Sequence, residues 1–302
     1  MIPLPDARTS VAANHLPAPV AIRKGPVRTA LRNQLDCDGS KQKQESRGAI
    51  MKGFTVAGVA LALILSAATA AAADDAIHMA LANPARPAAD RDTDSRRKPE
   101  TVLGFFAIEP GMTVLDMYSG GGYYAEILAY TVGADGKVWA HNNQPYLNWL
   151  KDPIAARYAD GRLDQVKRFT AENNELDLPA ATFDAVTMIL CYHDIYHVDE
   201  KNGWTKIDGP ALLGEIHQAM KPGAVLGVVD HAAAPGAPAE SGETLHRIDP
   251  ALAKKEIVAA GFVFEAQSNA LRASDDDASK SSFDESVRGK TDRFIYRFRK
   301  PE

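Results

Sequence analysis

The chain has 302 residues, 45% of them hydrophobic and 24% charged, with 34 Lys/Arg against 39 Asp/Glu and a formal charge of −5. This acidic balance argues against a nucleic-acid surface, which needs a clustered positive face, while the length is ample for one full hydrophobic core. There are two cysteines, Cys37 and Cys191, too few for a disulfide framework or a cysteine-based zinc site.

Residues 1–50 carry five prolines, scattered basic residues and no sustained apolar periodicity, and read as disordered or as an extension ahead of a true start at Met51. Met51-Lys52 is followed by the apolar run Phe54 to Leu65 and by a small-residue stretch ending in Ala71-x-Ala73, the pattern of a secretory signal peptide over 51–73. Residues 74–302 are then the folded domain, exported and periplasmic, without stable membrane insertion. The run Phe54 to Ala73 is 20 uncharged residues, so the uncleaved form would be membrane-anchored. Cleavage removes 9 basic and 4 acidic residues and leaves a formal charge of −10, with Cys191 as the one remaining cysteine. Cys191 follows the apolar run Ala185 to Leu190 and reads as a small buried hydrophobe rather than a catalytic thiol.

Along the domain, short helices are expected near Asp90–Lys98 and over Pro99–Phe106. Met112 to Met117 is strand 1, Gly122 to Thr131 a helix, and Lys137 to His141 strand 2. Pro145 to Tyr158 reads as helical and Val166 to Thr170 as strand 3. Phe183 to Leu190 is a continuous apolar run, as for a strand buried on both faces. A helix over Pro210–Met220 ends at Lys221-Pro222-Gly223, ahead of strand 5 at Ala224–Val229. A helix over Pro250–Ala260 stops at Gly261 before strand 6, Phe262–Ala266. The last strand, Arg293 to Arg299, alternates Phe294/Tyr296/Phe298 with Ile295/Arg297/Arg299, as for an antiparallel strand near a sheet edge. The Asp275-Asp276-Asp277 run lacks calcium-loop spacing and reads as a solvated loop. Strands alternating with helices define an α/β doubly wound, mostly parallel seven-stranded sheet.

The most informative segment is Val114-Leu115-Asp116-Met117-Tyr118-Ser119-Gly120-Gly121-Gly122, running into the helical spacing of Tyr123 to Ala129. Three glycines between strand and helix let the backbone lie against a ligand, and the helix start offers unpaired N–H groups. Gly120 to Ala125 also fits the dinucleotide pattern G-x-G-x-x-A, a weak signal alone. The order carboxylate, spacer, glycine loop resembles motif I, D-x-G-x-G-x-G, of class I S-adenosylmethionine-dependent methyltransferases, with Tyr118 in place of the first glycine. Leu178-Pro179 to Phe183-Asp184, Lys221-Pro222-Gly223 and Ala260-Gly261-Phe262 resemble that family's later landmarks, in the same order. The leader, Cys191 to Asp194, Asp230-His231 and Thr291 to Phe294 resemble an exported bacterial branch of such proteins.

The resemblance implies a Rossmann-like methyltransferase fold and S-adenosylmethionine as cofactor, held by Asp116, Tyr118, Gly120, Gly121 and Gly122. In the family an acid at the end of strand 2 meets the ribose; here that place is Asn142. The adenine-contacting position falls on Glu172 or Asn173, and Tyr192 completes an aromatic set with Tyr118, Tyr123 and Tyr124 that suits a sulfonium cation. Ligands in such a sheet bind beyond the carboxyl ends of the strands. His193 after strand 4 is therefore the candidate general base toward a small-molecule acceptor, with Asp194 or His231 orienting or replacing it. Two other readings compete with methyl transfer. One is an exported metal-dependent enzyme, with His193-x-x-x-His197 on one helical face and Asp194, Asp230 or His231 as further ligands; the other is a non-catalytic ligand-binding protein on the same fold. The preferred reading assigns no metal.

Overall fold

The computed structural model describes residues 72–150 and 153–302. The expectations for residues 1–50, and for the leader up to Ala71, lie outside the described residues. Among the described residues no helix is long and apolar enough to cross a membrane.

Helix α1 covers 72–82, and α2 (Ala88–Arg97) and α3 (Pro99–Phe105) follow it. Then come β1 (Thr113–Met117), α4 (Tyr123–Val132) and β2 (Lys137–Asn142). Of the single helix expected over 145–158, the described residues give α5 (Gln144–Leu150) and α6 (Pro153–Arg157), and residues 151–152 between them lie outside the described residues. Next are β3 (Val166–Thr170), β4 (Phe183–Ile189), α7 (Gly209–Ala219) and β5 (Met220–His231). The chain closes with α8 (Ser241–Leu245), α9 (Pro250–Ala259), β6 (Val263–Ser268) and β7 (Arg293–Arg299).

The seven strands form one sheet in the order β3-β2-β1-β4-β5-β7-β6. Strands β1 to β5 are parallel, and β7 runs antiparallel between β5 and β6. This is the Rossmann-like methyltransferase architecture expected, with the antiparallel strand one place in from the edge. Side chains leave a strand on alternate faces, so β1 feeds two cores. Leu115 and Met117 pack with Val186, Leu226 and Phe298 on one face; Val114 packs with Ile127, Ala185 and Ile295 on the other. β7 alternates as its sequence reads, Phe294, Tyr296 and Phe298 joining the first core and Ile295 the second. The F-D landmark has a structural task. Asp184 Oδ2 accepts the Thr113 N–H at 2.8 Å and Oδ1 meets Lys221 Nζ at 2.7 Å, tying the starts of β1, β4 and β5 together.

The aspartate run of the β6–β7 loop is only partly solvated. Asp276 is buried in an ion pair with the fully buried Arg247, whose guanidinium also donates to the carbonyls of Ala232 and Lys280. A buried guanidinium demands such saturation, and here it folds the loop back over the carboxyl end of β5.

Candidate functional site

Strand order reverses between β1 and β4, which opens a crevice beyond their carboxyl ends. A cavity of about 660 Å³ fills it, with the glycine loop at one end and His193, His231 and His246 at the other.

The loop's backbone explains its sequence. Tyr118, Gly120 and Gly122 all sit at positive φ (48°, 60° and 85°), a conformation that glycine adopts freely and other residues rarely do. Tyr118 therefore holds a strained conformation where motif I has glycine. Its ring is anchored by stacking on Trp204, with centroids 5.9 Å apart and planes 8° apart. The Tyr118 hydroxyl is buried and unpartnered, and burial pushes its pKa well up, with the Asp194 charge adding to the shift. Gly122 is closely covered: a Cβ there would lie 2.6 Å from Arg157 Cδ, on a side chain fixed by Asp90 and by the buried Glu126 of α4. Gly121 differs, since a Cβ there would meet nothing within 4 Å. It faces the open cavity.

Asp116 lies at the floor, 2% exposed. Oδ1 accepts the Thr187 hydroxyl at 2.8 Å and Oδ2 has no partner. Burial outweighs the Thr187 hydrogen bond and raises its pKa to about 6. Arg97, from the end of α2, also reaches the cavity, with its guanidinium over the Tyr123 ring at 4.5 Å.

Asn142 does not face the cavity. Its Oδ1 accepts the Gly120 N–H at 2.9 Å and its Nδ2 donates to the Gly120 carbonyl at 3.3 Å, so the amide braces the loop from behind. A carboxylate could not make both contacts, because it has no donor. Glu172 accepts the Gln144 N–H at 3.2 Å, and Asn173 is buried with Oδ1 unpartnered; neither reaches the cavity wall. Tyr192 also points away. Its ring is in the first core and its hydroxyl donates to Glu256 of α9 at 2.8 Å. Tyr123 and Tyr124 do line the cavity.

The other end is made of side chains. A short 3₁₀ turn, Tyr192–Tyr196, follows β4 and presents His193 and Asp194. Asp230, at the end of β5 and fully buried, accepts His193 Nδ1 at 2.8 Å, the His193 N–H at 2.7 Å and the His231 N–H at 2.7 Å. His193 Nε2 then approaches Asp194 Oδ1 at 3.2 Å. Burial alone would lower the His193 pKa, but the charges of Asp230 and Asp194 override it and raise it to about 9. Such a ring carries its proton at neutral pH, which is not the form of a general base. Asp194 is pushed up to about 6, mainly by burial. Burial depresses His231 well below its usual value and His246 to about 4, with the positive His193 adding to both.

The histidine pair at 193 and 197 does not share a helical face. The turn ends at Tyr196 and His197 is extended (ψ 134°), its ring against Trp204 and its Nδ1 2.9 Å from Glu243. Cys191 is buried and free, as a small hydrophobe would be. Sequence reading missed Trp204, His246, Arg97 and the α5 pair Tyr146 and Trp149, which stack at 5.7 Å and 27°. None carries a local motif; only the fold brings them to the cavity.

No protein-family profile and no curated protein matches the sequence. Among solved structures the chain is similar to an S-adenosylmethionine-dependent methyltransferase from Aquifex aeolicus, at 21% identity over 69% of this chain and 98% of that one, with a TM-score of 0.48. It is also similar to phosphoethanolamine N-methyltransferase 2 of Haemonchus contortus, a complex with S-adenosyl-L-methionine (15% identity, 68% of this chain and 53% of that one, TM-score 0.47). A third is the cyclase SpnF (18% identity, 68% and 81%, TM-score 0.47).

Proposed function

We propose that this chain transfers a methyl group from S-adenosylmethionine to a small-molecule acceptor. The observation that carries the reading is the loop Asp116–Gly122. It ends the central strand in alternate left-handed residues, leaves Gly121 open to the cavity, and sets an unpaired buried carboxylate oxygen beneath it. These residues fit an amino acid's polar groups: Asp116 Oδ2 for the ammonium, and Arg97 with the loop's backbone N–H groups for the carboxylate. When bound, the cofactor supplies an electrophilic methyl group on a sulfonium.

The remaining work belongs to the chain. Methyl transfer is an in-line displacement, so holding the two reactants in line is most of the catalysis. Asn142 fixes the loop rather than the ribose. The purine end is assigned instead to α5, where Trp149 is 63% exposed at the cavity rim and stacked on Tyr146. The acceptor is assigned to the end lined by His193, Asp194 and His231, which is polar and continuous with the loop. Export of the domain after cleavage following Ala73 belongs to the same proposal; N-terminal sequencing of the native protein tests it.

Calorimetric titration of the refolded, ligand-stripped chain with adenosylhomocysteine tests the cofactor reading. Micromolar binding is expected, lost in Gly121→Val, whose Cβ would have no protein atom within 4 Å, and weakened roughly 10-fold or more in Trp149→Ala. No heat from the wild type at millimolar ligand would sink the reading while leaving the fold untouched.

A further inference from the structure

We propose that the histidine end of the cavity binds one divalent transition-metal ion through His193 Nε2, the Asp194 carboxylate and a ring nitrogen of His246. One ligand atom from each lies within 4.8 Å of the other two. Bonds of about 2.0–2.2 Å to a tetrahedral metal place its ligand atoms roughly 3.4 Å apart, so closing the site asks the ligand atoms to draw together by no more than about 1.4 Å.

Three further features point to the same place. The first is the orientation of His193. Its Nδ1 is held by Asp230 at 2.8 Å, and that carboxylate is fully buried and fixed by two backbone N–H groups. A carboxylate behind a histidine is the arrangement that aims the other ring nitrogen at a metal and raises its basicity. The second is charge. Asp194 and Asp230 stand on either side of one imidazole; among the described residues their ion-pair partners are His193 and His246, with no lysine or arginine. Two poorly hydrated carboxylates share a single imidazole, which leaves room for a further positive charge beside them. The third is how His246 gets there. It caps α8 at φ 50°, a conformation strained for histidine. Helix α8 packs so tightly on the 192–196 turn that a Cβ at Gly242 would lie 2.7 Å from the His193 carbonyl oxygen. Strain and close approach together hold a ring in the cavity that a relaxed loop would release to solvent.

Two imidazoles and one carboxylate favour zinc, iron(II) or cobalt(II) over calcium or magnesium. Three protein ligands leave at least one position open toward the cavity, where His231 also stands. A ligand there would be an oxygen, nitrogen or sulfur group of a small molecule. The metal would hold that group and lower its pKa.

The site needs nothing from the glycine loop, so its test is run without S-adenosylmethionine. The full chain, stripped with chelator, is titrated with Co²⁺ and then Zn²⁺. One equivalent per chain is expected, with the intense visible absorption of four- or five-coordinate cobalt, bleached by zinc. His246→Asn keeps a residue that tolerates positive φ. It should weaken binding roughly 100-fold while the melting temperature of the metal-free protein stays nearly constant. Asp194→Asn should do the same, and His217→Asn, on the far side of the sheet end against Phe262, should bind as the wild type does. A wild type without stoichiometric uptake overturns the proposal and leaves His193 a bridge between two carboxylates. Uptake that survives both the His246 and the Asp194 substitutions overturns it equally, placing the metal elsewhere on the chain.

Discussion

At the glycine end of the cavity, Asp116 and the run Tyr118 to Gly121 come from one short stretch of chain; at the histidine end, His193, His231 and His246 come from the ends of β4, β5 and α8. The first end is made of backbone. Its shape is set by φ angles at Tyr118, Gly120 and Gly122 and locked by one amide, Asn142. The second is made of side chains whose positions depend on buried carboxylates and on loop packing. A backbone site fails when a Cβ is added, whereas a side-chain site fails when a charge or a hydrogen bond is removed. The two kinds of substitution should therefore separate the ends.

The largest effect is expected at Gly122. A valine there would be forced to φ 85° and its Cβ would press on Arg157, which ion pairs prevent from moving aside. Strain and clash together should cost about 4 kcal/mol, read as a lowered midpoint in urea unfolding. Gly121→Val, one residue away, should leave that midpoint in place. If both valines unfold the chain equally, the open face assigned to Gly121 is not open.

Asp116→Asn should act in the opposite sense on stability. The buried carboxyl has a pKa of about 6, against about 3.9 in an unfolded chain. The folded state thus binds a proton that the unfolded state releases between those values. Its contribution is fully present below about pH 4, is lost as pH rises through 6, and costs up to about 3 kcal/mol at neutral pH. The asparagine variant should melt higher than the wild type at pH 7.5, with the gap closing as pH falls toward 4. It should also bind adenosylhomocysteine more weakly, since it has lost the charge. Equal melting temperatures across that range would show that Asp116 ionises freely and is not desolvated as the structure has it.

The contrast between the ends also explains what the sequence could reveal. The strands were legible because burial on both faces leaves runs such as Phe183 to Ile189, and β7 because its alternation matches its two cores. The glycine loop was legible because left-handed backbone selects for glycine, and the helix after it because Gly122 starts it. Asn142 was legible as a position but not as a role: a neighbouring backbone takes both ends of its amide, and no local pattern signals that. Tyr192 was misplaced for a similar reason. A 3₁₀ turn sends successive side chains to different sides, so His193 enters the cavity and Tyr192 enters the core. Residues such as His246 and Trp204 have no pattern at all, because their partners are distant in sequence.

A smaller effect tests whether Asn142 is a brace. Asn142→Ala removes two hydrogen bonds to Gly120 and leaves that residue's buried backbone groups without those partners, at a cost of about 2 kcal/mol. Because the bonds hold the loop in its binding shape, adenosylhomocysteine affinity should fall roughly 10-fold, the larger part of that cost appearing as a looser loop. Asn142→Asp is the sharper comparison. The carboxylate can still accept from the Gly120 N–H but can no longer donate to its carbonyl, and in the family's pattern it would gain a ribose contact. Tighter binding in Asn142→Asp than in the wild type would show that this side chain turns to the ligand after all.

The smallest effect is at Thr291, whose hydroxyl lies 2.7 Å from His231 Nδ1 and also accepts from Arg293 Nε at 3.2 Å. Valine has the same shape, so Thr291→Val removes the hydrogen bonds without opening a cavity, for about 1 kcal/mol. Its value lies in where the change is felt. The hydroxyl fixes the way the His231 ring presents its other nitrogen to the cavity, and without it the ring is free to exchange tautomers. Imidazole nitrogen chemical shifts should move toward the average of the two forms. Adenosylhomocysteine affinity should stay within about twofold, because no hydrogen bond runs from Thr291 to the Asp116–Gly122 loop and independent sites add without coupling. An affinity that fell along with the tautomer signal would mean that the histidine end sets the shape of the glycine end, and the two would then have to be treated as one site.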